Sequence, residues 1–332
     1  MMAKRKRIAI LTGDIHLNDW NQFNMDFRRT DMTIQYLDNL LSLSARYGVP
    51  ILNTGDFWHT PEHLTTKLMH HVMPQLKSLD SDIANILESI WGISGNHEMP
   101  QINSINNQRS PSLWEVSSVL FPNLFHNLDF TSKEFKAHNM VVYGLPYIDH
   151  NVGFVDYVKG LKLDKSKFNV LLVHTDLHGA KDPSGRIVNT TENIYRQMRM
   201  VFKKFDVVAA GHIHKPQKLG KNIYMIGSPD QQRRSDAGCQ MGYWVLYDDA
   251  TMRFQPWEAP QFKFYREGEE PEDDYNYWTM VPKPRAIENK KGVQIKDTQD
   301  RISVGKSYCK AKKVKSKAKK EALASLLKET ED

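Results

Sequence analysis

Eight short apolar runs set the rhythm of most of the chain: RIAILT (7–12), VPILNT (49–54), ESIWGIS (88–94), NMVVYGL (139–145), FNVLLVH (168–174), FDVVAAG (205–211), NIYMIG (222–227) and GYWVLY (242–247). Rich in β-formers and separated by helical or loop-like stretches, they predict a layered α/β protein with buried strands. Between the first two runs, DMTIQYLDNLLSLSARYG places Ile34, Leu37, Leu40 and Leu41 on one helical face, with Asp31 as the expected N-cap and Gly48 as the stop. The order is that of a strand, helix, strand crossover. No internal repeat is evident. Beyond about Phe264 the rhythm ends in an acidic, Pro-containing stretch, EGEEPEDD (267–274), which reads as a boundary between a large domain, residues 1–260, and a smaller region, residues 261–332. Within that region KKEALASLLKET spaces Leu323, Leu326 and Leu327 as a helix would, either packing on its own domain or presenting an amphipathic face to a partner.

Composition narrows the class. A chain of 332 residues with 40% hydrophobic and 25% charged side chains can bury a full core and is expected to be soluble. No apolar run approaches the length of a membrane span, and the short apolar segment near the N-terminus runs at once into Asp14 and His16, so neither membrane insertion nor secretion is expected. The two cysteines, Cys239 and Cys309, lie far apart and indicate neither a disulfide framework nor a cysteine zinc site, which fits a reducing, cytoplasmic setting. The formal charge of +6 is too small to argue for a polyanionic partner. Its distribution says more, because lysines crowd GKSYCKAKKVKSKAKK (305–320), either as a solvated face or linker or as phosphate contacts.

The residues capable of chemistry follow the apolar runs. The first run is followed by Asp14 and His16, the second by Asp56, the third by Asn96, His97 and Glu98; the fifth ends in His174, and the sixth is followed by His212 and His214. In open α/β sheets ligands bind beyond the carboxyl ends of strands, so five such segments can converge on one crevice. One Gly-Asp or Gly-Asn-His is an ordinary turn, and one buried histidine is an ordinary core residue. Five together are costly to bury without partners, and a metal supplies partners to all of them. Carboxylate, imidazole and amide oxygen without thiolate suit Mn²⁺, Fe²⁺ or Zn²⁺ in an open site better than a structural zinc. Seven ligands exceed the needs of one ion, whereas two ions sharing a carboxylate are suited to in-line displacement at phosphorus.

Through about Leu246 these motifs closely resemble the calcineurin-like metallophosphoesterase family. The resemblance implies a four-layer sandwich of two mixed β-sheets flanked by helices, with a smaller C-terminal accessory region. It implies that Asp14, His16 and His214 hold one divalent ion, that Asn96, His174 and His212 hold the other, and that Asp56 bridges them. The ions are expected to be Mn²⁺, with Mg²⁺, Fe²⁺ or Zn²⁺ as alternatives. By the same resemblance His97 is a catalytic group facing the scissile phosphate. Glu98 stands where the family often has Asp; a carboxylate there can still orient His97 or raise its basicity, and its longer side chain leaves that pairing open. His178, four residues after His174, is a rival ligand, disfavoured because His174 directly ends its run.

Three further marks resemble the SbcD-type nuclease subunits of that family, which include phage recombination nucleases: His59 in GDFWH, LPY at 145–147, and YMIGSPDQQRRSDAGCQMGYWVLY (224–247). They imply a metal-dependent DNA exonuclease and endonuclease, with His59 contacting DNA near the cut. Arg233 and Arg234 either hold the DNA backbone or form surface salt bridges. The same resemblance implies an SbcC-like coiled-coil ATPase partner and a homodimer within a heterotetramer, with the accessory region supplying a DNA-capping element and an ATPase-docking helix. The competing enzyme reading is a phosphodiesterase or phosphatase acting on small or protein phosphoesters. A metal-free scaffold is argued against by intact ligands at all seven positions.

Overall fold

The computed structural model describes residues 5–20, 27–60, 64–83, 89–99, 111–148, 153–189, 192–266, 268–273 and 275–281. The Lys-rich stretch, Cys309 and the expected C-terminal helix lie outside them. The chain divides into two compact units, Met1–Lys263 with Asp273–Tyr277, and Phe264–Glu272 with Trp278–Asp332.

The first unit is built on two six-stranded sheets. One contains, in chain order, β1 (Arg7–Thr12), β2 (Ile51–Asn53), β3 (Ile90–Gly92), β4 (Phe125–Asn127), β11 (Gly242–Tyr247) and β12 (Met252–Pro256), arranged β12-β11-β1-β2-β3-β4. The other contains β5 (Ser132–Phe135), β6 (Met140–Leu145), β7 (Phe168–His174), β8 (Val207–Gly211), β9 (Gln217–Lys218) and β10 (Ile223–Met225), arranged β5-β6-β7-β8-β10-β9. β1 to β4 are parallel, as are β6, β7, β8 and β10, while β11, β12, β5 and β9 join antiparallel. Both sheets are therefore mixed. Strands β13 (Phe262–Arg266) and β14 (Tyr277–Val281) form a separate two-stranded sheet.

Strand alternation explains the layers. In β7, Val170 and Leu172 join one buried cluster with Ile8, Leu11, Leu52 and Trp244 between the sheets, whereas Leu171 and Val173 join another with Phe154 and Phe202. Those two phenylalanines come from α4 (Phe154–Gly160) and α5 (Glu192–Phe202). On the opposite side, Ile10 and Ile51 pack with Leu37, Leu68 and Trp114, which belong to α1 (Arg28–Tyr47), α2 (Thr66–Asp82) and α3 (Leu113–Leu120). Helices, sheet, sheet and helices make the four layers. Strands buried on both faces read as continuous apolar runs, because neither face can be left to water.

Helix α1 is the crossover between parallel β1 and β2. Its apolar face enters the core through Ile34, Leu37 and Leu40, with Leu41 partly buried beside them. Gly48 ends it in the left-handed region at φ 63°, its N–H donating to the Ser44 carbonyl at 2.7 Å. Asp31 is not the N-cap. Phe27 occupies that position without a side-chain cap, and Asp31, one turn inside the helix, accepts from His71 Nε2 of α2 at 2.6 Å. Its carboxylate serves a tertiary partner instead of the helix end. No helix among the described residues is long and apolar enough to cross a membrane.

Candidate metal centre

The carboxyl ends of β1, β2, β3, β7 and β8 deliver the seven residues Asp14, His16, Asp56, Asn96, His174, His212 and His214 to one place. Backbone pairing ties the first two loops together: Asp14 N–H donates to the Gly55 carbonyl at 3.0 Å, and His16 N–H to the Asp56 carbonyl at 2.9 Å. Asp14 then reaches the other sheet, its carboxylate accepting the His212 N–H at 2.9 Å. Glycine makes the third loop possible. A Cβ on Gly95 would stand 2.5 Å from the Asp56 backbone nitrogen and 2.0 Å from its Oδ1, so any side chain there would displace Asp56.

Asp14, His16, Asp56 and His212 all have positive φ, at 49°, 52°, 54° and 95°. Such conformations cost about 1 to 3 kcal/mol each for residues with a Cβ and persist only where the surroundings impose them. Here the imposing bonds are the loop pairings just described.

Acceptor atoms converge in two groups, Asp14 with His16 and His214, and Asp56 with His174 and His212, the ligand atoms of each group lying within 4.8 Å of one another. Asn96 joins the second through Oδ1, 2.9 Å from His174 Nε2 and 2.8 Å from His212 Nδ1. Asp56 Oδ2 faces both groups, 3.3 Å from His174 Nε2 and 3.8 Å from His16 Nε2. His174 Nδ1 lies 2.8 Å from the Thr54 carbonyl, an acceptor only, and must carry a hydrogen. Its Nε2 therefore meets two oxygens with a lone pair or with a second proton. Burial, the largest single effect, opposes that proton, but the charge and hydrogen bond of Asp56, the Asp14 charge and the Thr54 carbonyl together outweigh it and raise His174 to about 9. In turn burial works to raise Asp56, and His174, closest among the imidazoles, holds it far below the usual carboxylate range. Burial pushes His16 down, and lowers His59 and His212 to about 4, leaving neutral imidazoles with lone pairs to offer.

His16 Nε2 is buried without a hydrogen-bond partner. An orphaned imidazole nitrogen beside a carboxylate, and a second set of nitrogens and oxygens all facing inward, fit a pair of divalent cations. Hard oxygens with borderline nitrogens and no thiolate suit Mn²⁺, Fe²⁺ or Zn²⁺.

A third imidazole group adjoins them. His59 Nδ1 lies 3.2 Å from His16 Nδ1, and the rings of His59 and His97 stack at 5.0 Å. His97 donates from Nδ1 to the His59 carbonyl at 2.6 Å, which leaves its Nε2 free of the backbone. All three rings line a cavity of about 560 Å³ together with Asp56, His212 and His214. Tyr147, of the LPY element, lies against the same centre, its ring 6.2 Å from those of His174 and His212.

Two possibilities left open by the sequence are not seen in the structure. Glu98 does not orient His97: fully buried, it accepts backbone N–H groups from Phe57 at 2.9 Å and Trp58 at 3.1 Å on Oε1, and from Gly95 at 2.9 Å and Asp56 at 3.2 Å on Oε2. The longer side chain turns under the Asp56 loop instead of toward the imidazole. Burial and the Asp56 charge raise its carboxyl to about 8, against the pull of those amides. Above that pH, where both oxygens are free to accept, Glu98→Gln keeps the volume but sets an NH₂ against two of the four donors, and is expected to destabilise the chain by about 1 to 3 kcal/mol. A lowered urea midpoint checks this; an unchanged midpoint counts against the role. His178, the rival ligand, lines a separate small pocket with Leu177, Met198 and Phe202 and belongs to none of the three clusters.

Sequence reading also missed residues at the site. Asp176 stands 3.4 Å from His212 Nε2, and Trp20 lines the cavity with its ring 4.8 Å from that of His59. Asp236 lies 3.2 Å from His214 Nδ1. None has a local signal, since each acquires its place from a distant segment. Both arginines are exposed, and of the two Arg233 lines the cavity and sits 3.6 Å from Asp236.

Comparison with known proteins follows the same lines. A search of curated protein sequences finds no match. Among solved structures, a Staphylococcus aureus protein assigned as a 5'-nucleotidase, crystallised in complex with alpha-ketoglutarate, is similar at 14% identity with a TM-score of 0.41, over 66% of this chain and 48% of that one. The match thus spans about half the length of that protein. The family model for calcineurin-like phosphoesterases matches residues 9–216, well over half of the chain, and covers every loop that feeds the two acceptor groups. The chain belongs to the calcineurin-like phosphoesterase family, whose members are metal-dependent hydrolases of phosphoesters.

Proposed function

We propose that this chain is a DNA exonuclease and endonuclease that hydrolyses phosphodiester bonds at a dinuclear metal site, as the nuclease subunit of an SbcCD-like, ATP-dependent repair or recombination complex. The observation that carries the reading is the position of His59: a third imidazole beside the two acceptor groups, on the wall of the cavity, bonded to His16 through one nitrogen. The LPY and Gly-Ser-Pro elements support it, since both pack against the same centre.

In this reading Asp14, His16 and His214 hold one ion, Asn96, His174 and His212 the other, and Asp56 serves both. Two divalent ions, Mn²⁺ first, would supply charge neutralisation at the phosphoryl oxygens and a lowered water pKa. The protein's own groups do the rest. His16, ligating through Nε2, carries its hydrogen on Nδ1 and donates it to His59 Nδ1. His59 then bears its own hydrogen on Nε2, available to a phosphate or sugar oxygen of DNA. His97, held by its Nδ1–H on the His59 carbonyl, presents Nε2 to the scissile group and, as the imidazolium with a second hydrogen on Nε2, can pass that proton to the leaving oxygen and return to the neutral ring. The SbcC-like ATPase, the homodimer within a heterotetramer, and a DNA-capping role for residues 261–332 rest on sequence resemblance.

The test is incubation of the purified chain with end-labelled duplex and single-stranded DNA in Mn²⁺, Mg²⁺ or chelator, with and without the ATPase. Digestion that needs the metal is expected. Rapid turnover of small phosphoesters with neither DNA cut, even with the ATPase present, would establish the phosphodiesterase or phosphatase reading instead.

A further inference from the structure

We propose that Asp236 is the positioning residue of the Asp14, His16 and His214 subsite, and that the buried residues of the Gly227–Asp236 segment around it support that subsite. The inference rests on the metal-binding role of those three residues and not on DNA being the substrate.

The segment grips both loops that feed the subsite. Gly227 has φ 77°, and a Cβ there would stand 2.6 Å from Pro216 N and 2.7 Å from the His214 carbonyl oxygen, so glycine alone lets the chain lie flat against the His214 loop. Ser228 N–H donates to that same carbonyl at 2.9 Å, while Ser228 Oγ donates to the Asp14 carbonyl at 2.8 Å. Gln232 Nε2 donates to the Ile15 carbonyl at 3.3 Å and to Ser228 Oγ at 2.9 Å. These bonds bracket Asp14, Ile15 and His16, two of which hold left-handed backbone conformations.

Asp236 completes the arrangement. It is fully buried, and its Oδ2 accepts the Gln232 N–H at 2.9 Å and the Arg233 N–H at 3.3 Å, besides facing His214 Nδ1 at 3.2 Å. Its Oδ1 has Ser235 Oγ at 3.3 Å and Arg233 Nε at 3.6 Å. With Nδ1 donating to this carboxylate, His214 is held in one tautomer and its Nε2 lone pair is turned toward Asp14 and His16. A carboxylate behind a ligating imidazole orients the ring and makes it a stronger donor to the ion, and loss of such a partner typically weakens metal binding by about 10- to 100-fold. Because Asp236 is sealed from solvent, water cannot substitute for it.

Mn²⁺ titration calorimetry on the full chain tests the proposal. In Asp236→Asn, which keeps an acceptor for the Gln232 and Arg233 amides but loses the charge, one of the two ions is expected to bind about 10- to 100-fold more weakly, the other being unchanged. Asp236→Glu, with its charge restored, should recover more of the affinity than Asn retains. Unchanged binding of both ions would overturn the proposal, and an equal loss at both subsites would mark Asp236 as a residue of the fold. Should the variants fail to fold, the parent loaded with Zn²⁺ decides: its imidazole ¹H–¹⁵N spectrum must show the His214 hydrogen on Nδ1, and a hydrogen on Nε2 refutes the arrangement. A parent chain that takes up no ion sinks the metal reading itself, whereas two ions bound by the parent leave that reading intact whatever Asp236 does.

Discussion

Asp56→Asn is expected to reduce phosphoester hydrolysis by about 10³-fold or more, the largest loss from any single substitution in the chain. Among the described residues, Asp56 is the carboxylate with one oxygen beside imidazoles of both acceptor groups, and its burial means no solvent charge can replace it. Asparagine isolates that charge. It tolerates the left-handed φ of 54° about as readily as aspartate does. It also keeps an oxygen for the His97 N–H, which donates to Asp56 Oδ1 at 2.8 Å. The fold should therefore survive while the affinity for the pair of ions falls. Parallel measurement of turnover on a small phosphodiester and of Mn²⁺ uptake checks both halves. Turnover at the parental rate would remove Asp56 from the centre and, with it, the dinuclear assignment.

The second large effect is expected at His59. His59→Ala should lower DNA digestion by about 10²- to 10³-fold, the usual consequence of removing one positioned donor from a reacting phosphate or acyl group. Hydrolysis of a small phosphodiester should fall much less, and both ions should still bind. The backbone explains the selectivity. The carbonyl that holds His97 Nδ1 belongs to His59 but not to its ring, so the alanine variant keeps His97 in place. The ring's bond to His16 lies at the wall of an open cavity, where water can take its place. That separates His59 from Asp236, whose carboxylate is itself buried away from solvent. Equal losses on DNA and on the small ester would make His59 part of the general hydrolytic machinery, and no loss on DNA would leave the nuclease proposal without its main support.

The parts of the fold legible in sequence were those buried on both faces. All eight apolar runs are strands, from RIAILT as β1 to GYWVLY as β11. The four strands of the two large sheets that went unread, β4, β5, β9 and β12, are the four sheet edges. Edge strands are half exposed and short, so Ser132–Phe135, with only Phe135 buried, carries no apolar signature. The capping of α1 failed as a reading for a related reason. An aspartate near a helix start has a local use and a tertiary one, and His71 of α2 took the tertiary one.

The candidate site divides in the same way. Parallel strands carry their loops at one end, so a polar residue just beyond each buried run is visible locally, and Asp14, His16, Asp56, Asn96, His174, His212 and His214 stand out before any contact is known. What the sequence alone determined was thus the set of strands, the α1 crossover and the polar endings, because each depends on neighbours within a few residues. Which nitrogen faces a cation, where Glu98 turns, and that Asp236 stands behind His214 were decided only by the tertiary structure. Those outcomes depend on close approach between loops from different strands, set by Gly95 against Asp56 and by Gly227 against His214, and a hydrogen bond between residues so placed has no periodicity to announce it.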